Sequence, residues 1–157
     1  MNHLHKALAV LSAIAVPAAA HTYFAAPEGP CFASGAATYR MSPSASAPDY
    51  RIRVESHAAR PDLRMQTVDR PELADFVLAD DSGPAEANAC RSSTLTKTIR
   101  VDAEAQAPDV TVMLNADAAN PDYKIYVHSV RFSHQDAAAL LAVMWKVTQK
   151  RKLADRR

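Results

Sequence analysis

The stretch APDYRIRVESHAARPD (residues 47–62) decides the reading of the fold, because it lies without a gap over APDVTVMLNADAANPD (residues 107–122). Ala-Pro-Asp opens both, Ala-Ala-x-Pro-Asp closes both, and the prolines stand 13 residues apart in each, Pro48 to Pro61 and Pro108 to Pro121. This pattern predicts a strand-turn-strand unit used twice. Proline cannot donate to a sheet ladder and is tolerated at a strand's entrance, while aspartate accepts local backbone hydrogen bonds in a turn. Each Pro-Asp therefore marks a strand entry.

Alternation extends the pattern along the chain. YRIRVES (50–56) places Tyr50, Ile52 and Val54 on one face and Arg51, Arg53 and Glu55 on the other. LRMQT (63–67), DFVLA (75–79), TIRV (98–101), VTVML (110–114) and YKIYVHS (123–129) complete a set of strands. Phe76 to Ala79 lacks alternation and reads as the central strand, covered on both faces. Only residues 69–74 separate it from the strand before. That is too short for a parallel crossover, so this pair is expected to be antiparallel or in different sheets.

SHQDAAALLAVMWKVTQKRK (133–152) is a helix, with Ser133 as N-cap and Asp136 three residues on, as in a capping box. Ala137, Leu140, Leu141, Met144 and Thr148 form one stripe at helical spacing that packs on the sheet. The expected class is α+β: a mostly antiparallel or mixed sheet of about five to six strands with one C-terminal helix across a face.

The N-terminal segment sets the compartment. MNHLHK is weakly basic, residues 7–20 are apolar, and Ala18 and Ala20 occupy the small-residue positions read by a signal peptidase. Pro17 interrupts a run already shorter than the ~20 residues that span a bilayer. The expected layout is a signal peptide at 1–20, an extended Ala/Ser/Pro-rich arm at 21–47 and one α+β domain at 48–157, in a periplasmic or secreted protein. Export with two cysteines, Cys31 and Cys90, invites one disulfide, contributing about 4 kcal/mol in the chain-entropy picture.

Loss of residues 1–20 removes only Lys6, leaving acidic and basic side chains in balance, which argues against a nucleic-acid binder. The one asymmetry is the basic end, with Lys146, Lys150, Arg151, Lys152, Arg156 and Arg157 against Asp155. It suits a helix carboxyl end and could also touch an anionic partner.

Three chemistries have candidate residues. Cleavage after Ala20 makes His21 the mature terminus, whose amine and imidazole can chelate copper(II); His57 and His128, on outward strand faces, are the candidate second ligands, with His134 in the first helical turn. Asp80 and Asp81 close the apolar strand, a place for acid-base work in a small hydrolase, although DDSGP also reads as a strand stop and turn. Three glycines in the whole chain disfavour a phosphate-cradling loop, and no Gly-x-Ser-x-Gly or HExxH is present. The third chemistry is surface recognition without catalysis.

PELADFVLADD (71–81), a short turn leading by Ala-Asp into an apolar strand, resembles a phrase of small exported bacterial proteins and of envelope-assembly domains of the TolB amino-terminal type. The resemblance implies an envelope location and a small α/β module, and it carries over no functional residues. The expected function is a non-enzymatic periplasmic binding or envelope-assembly module with a protein partner. The alternatives are a copper protein using His21 and a hydrolase using Asp80 or Asp81.

Overall fold

The computed structural model describes residues 29–34, 37–79 and 95–156. Among these residues eight strands precede one helix: β1 (Cys31–Ser34), β2 (Ala37–Met41), β3 (Tyr50–Glu55), β4 (Leu63–Thr67), β5 (Phe76–Ala79), β6 (Thr96–Val101), β7 (Val110–Asn115), β8 (Tyr123–His128) and α1 (His134–Ala154). A single 3-10 turn, Pro71–Leu73, leads into β5. The class is α+β, a curled mixed sheet around a C-terminal helix. The sheet has eight strands rather than five or six, because β1 and β2 form within the stretch expected to be an extended arm.

The strand order is β1-β2-β6-β3-β7-β4-β8-β5. The β1-β2 pair is antiparallel and all six other pairings are parallel. The two halves of the chain interleave, so that β6, β7 and β8 slot between β2, β3, β4 and β5. Each strand that enters at a Pro-Asp or Ala-Asp does so two residues further along than its neighbour. Rows of three residues result: Met41-Ile99-Tyr50, Val101-Ile52-Val110, Val54-Val112-Leu63, Leu114-Met65-Tyr123 and Thr67-Ile125-Phe76. The middle residue of every row, Ile99, Ile52, Val112, Met65 and Ile125, is fully buried.

This stagger corrects the argument against a parallel link between β4 and β5. A crossover of a dozen residues is needed when the chain must return the full length of a strand. Here Thr67 and Phe76 stand level, on either side of Ile125. The connection only crosses β8, a lateral distance of about 10 Å. The same stagger places Phe76–Ala79 at the sheet's edge, not its centre. Its apolar run comes from Val77 and Ala79, which are exposed on the outer face, while Leu78 is buried on the inner one.

The repeat is also finer than the sequence comparison implied. Asp49, Asp62 and Asp75 in one half, and Asp109 and Asp122 in the other, recur every 13 residues, each just before a strand. Ala45, Ala58, Ala105 and Ala118 stand four residues before their aspartates, and all are wholly or partly buried in the connections.

Helix α1 begins at a full capping box, with the Ser133 side chain accepting from Asp136 N–H and the Asp136 carboxylate accepting from Ser133 N–H at 2.9 Å. It packs against β3, β4, β6, β7 and β8. Burial does not follow one stripe. All seven residues from Ala137 to Val143 are buried, while Thr148 is exposed. The curl wraps the two turns from Ala137 to Val143, and four alanines, Ala137, Ala138, Ala139 and Ala142, let the strands approach closely. No helix among the described residues is long and apolar enough to cross a membrane.

Candidate functional site

The strand-entry aspartates are the most repeated chemistry in the chain, and each closes the same backbone clamp. Asp49 Oδ2 accepts from Thr98 N–H at 2.8 Å, Asp62 from Thr111 at 2.7 Å, Asp75 from Lys124 at 2.8 Å, Asp109 from Arg51 at 2.9 Å and Asp122 from Arg64 at 2.7 Å. The N–H groups of Asp62, Asp75, Asp109 and Asp122 donate back to the carbonyls of the same partners, and Asp49 N–H donates to Thr98 Oγ1. The acceptor role is therefore not local, as turn chemistry predicts, but joins one half of the chain to the other. Carboxylates held in this way brace the interleaved sheet.

Two clamps also hold a lysine. Asp49 meets Lys97 Nζ at 3.0 Å and Asp109 meets Lys146 Nζ at 2.6 Å. Burial pushes the Asp49 carboxyl up, but the Thr98 N–H, the Lys97 ammonium and the Thr98 hydroxyl together outweigh it and hold the group below the ordinary carboxylate value. Asp109 is likewise lowered: burial raises it, while Lys146 and the Arg51 N–H lower it by more. Lys146, the first residue of the basic end, thus ties α1 to the entry of β7. Lys150, Arg151 and Lys152 are exposed.

The second feature is the seam. Because the sheet curls, its two edge strands face one recess: Cys31 and Phe32 of β1 and Phe76 to Ala79 of β5 line it with Arg131 and Phe132. Its volume is about 210 Å³. Val77 is 46% exposed and Leu73, just before β5, 44%, so the β5 side presents apolar side chains beside an edge that no described strand covers.

The candidate ligands and acids are dispersed. His57 lies in the connection after β3 rather than on an outward strand face, and His128 ends β8; both are exposed. His134 opens α1 and faces a shallow groove with Gln66, Asp69 and Leu73. Among the described residues no three His, Cys, Asp or Glu side chains come together as a metal site. His21, Asp80, Asp81 and Cys90 lie outside the described residues, while Cys31 is half-buried in β1.

Sequence reasoning missed the clamps as a set and missed the seam. The clamps were within reach: Pro-Asp at 49, 62, 109 and 122, with Ala-Asp at 75, is a visible period. The seam was not, since it depends on how far the sheet curls. Comparison with protein-family models, with curated proteins and with solved structures returned no match, so the functional reading rests on the chain's own geometry.

Proposed function

We propose that the protein is a non-enzymatic binding or assembly module of the bacterial cell envelope, exported to the periplasm, that takes an extended segment of a protein partner along the edge of β5 that no described strand covers. The observation that carries this reading is the seam. An edge strand offers a row of backbone donors and acceptors, and edge addition gives affinity through the main chain and selectivity through side-chain recesses. Here the edge, the exposed Val77 and the recess under Phe76, Leu78 and Phe132 lie together. The envelope location rests on the export signal expected at 1–20 and on the resemblance of residues 71–81.

The test places a photo-reactive side chain at position 77 of the exported protein, with position 152 as control. A partner cross-linked from 77 and not from 152, and lost when Ala79→Pro blocks the edge without lowering the melting temperature, supports the reading. Equal labelling from both positions, or labelling that survives the proline, refutes it.

A further inference from the structure

The outer face of the repeat contains its own control. At the clamped position and two residues beyond it, the five strands that the aspartates clamp carry Thr98 and Arg100, Arg51 and Arg53, Thr111 and Met113, Arg64 and Gln66, and Lys124 and Tyr126. On β6 and β4 the second position reaches a connection: Arg100 Nη1 donates to Ala45 O at 3.2 Å and Gln66 Nε2 to Ala116 O at 2.8 Å. On β7 threonine and methionine fill the same two positions, so the architecture does not require arginine at either.

Three arginines nevertheless gather on β6 and β3. Arg51 and Arg100 are direct register partners, and Arg53 follows on the same face of β3. Like charges directly opposite in a sheet are destabilising. The chain compensates little of this. Arg100 lies 3.5 Å from Asp102, and Arg53 Nε lies 3.8 Å from Glu55, too long for a hydrogen bond. The Arg51 side chain has no acceptor among the described residues. Its register neighbour Asp109 turns its carboxylate to the Arg51 N–H and to Lys146 instead. The Nε atoms of Arg51 and Arg53 are buried and unbonded. An arginine Nε–H shut away from solvent without an acceptor is costly, and an anion bound at the guanidinium would satisfy it.

We propose that Arg51, Arg53 and Arg100 form a binding site for a phosphate-bearing ligand, taken as the phosphate group of a phosphomonoester. Guanidinium forks match oxyanions bidentately. A carboxylate has two oxygens and satisfies one fork, whereas a terminal phosphate has three and can serve neighbouring arginines at once. The site is on the outer face, away from the seam lining, and does not depend on the edge-binding reading.

The experiment uses the full chain with glycerol phosphate, against sodium chloride at equal ionic strength, and vesicles containing phosphatidic acid against phosphatidylcholine alone. The variants copy the protein's own repeat: Arg51→Thr takes the residue of β7, and Arg64→Thr makes the same change on β4, where no second arginine lies opposite. Glycerol phosphate should raise the melting temperature saturably. Arg51→Thr should fold, melt no lower than wild type without ligand, and lose at least about tenfold in affinity, as expected for a hydrogen bond to a charged group. Arg64→Thr should change affinity by less than about twofold, since exposed single charges contribute little. Vesicle binding lost with Arg51→Thr identifies a lipid source, and glycerol phosphate binding without vesicle binding a soluble one. No saturable effect of either phosphate source, Arg51→Thr binding like wild type, or tighter binding of a glutamate-rich peptide than of phosphate overturns the proposal.

Discussion

Asp62 and Thr111, which stand in opposite halves of the chain, exchange a closed pair of hydrogen bonds: Thr111 N–H donates to Asp62 Oδ2 at 2.7 Å, and Asp62 N–H donates to Thr111 O at 2.8 Å. The carboxylate takes the N–H that would otherwise lack a partner where β4 begins, and it fixes the register of β4 on β7. Four equivalent aspartates do the same work, so the interleaving of the two halves is specified strand by strand.

Asp62→Ala leaves the Thr111 N–H without that acceptor and, because the bond is solvent-exposed, should cost about 0.5–1.5 kcal/mol. Asp62→Asn retains a neutral acceptor and should cost less. Urea unfolding of the two variants checks this, and an alanine variant as stable as wild type would show that the clamp carries no energy.

Acid should loosen the sheet at two clamps. Asp49 and Asp109 have lowered native values, so their contribution is present above the ordinary carboxylate value of 3.8 and is lost as pH falls through the native value below it. Urea midpoints followed from about pH 6 to about pH 2 should drop most steeply below 3.8. Asp49→Asn with Asp109→Asn should flatten that fall. An unchanged slope in the double variant would assign the acid sensitivity elsewhere.

The enclosed helix predicts a pattern that a one-sided helix does not. Ala139 lies off the stripe of Ala137, Leu140, Leu141 and Met144, yet it is fully buried. Ala139→Leu should overpack the curl and cost about 1–3 kcal/mol. Leu141→Asp buries an unpaired charge and should unfold the domain, whereas Lys150→Asp, at an exposed position, should be nearly silent. A silent Ala139→Leu in thermal melts would place the helix on one face only.

The thiols give a fourth expectation. Export and two cysteines lead us to expect a Cys31–Cys90 bridge, so the exported protein should show no alkylatable thiol by intact mass without reductant. Two modified cysteines would rule the bridge out.

The six strands from β3 to β8, the helix with its Ser133–Asp136 cap and the Pro-Asp punctuation are legible in the residues alone, because each follows from local rules: alternation, capping, and the missing N–H of proline. The 13-residue period is legible there as well, since Asp49, Asp62 and Asp75 need only be counted. The tertiary structure alone decided the rest. A two-residue stagger per strand turned short connections into parallel links and moved β5 to the edge. Interleaving recruited residues 31–34 and 37–41 into the sheet, which no alternation there signals. Curl then enclosed the helix, brought β1 and β5 to one seam and set Arg51 opposite Arg100. These are relations between residues distant in the chain, fixed by which register buries Ile52, Met65, Ile99, Val112 and Ile125 together. Local periodicity shows which face a residue takes; only the assembled sheet shows what stands beside it.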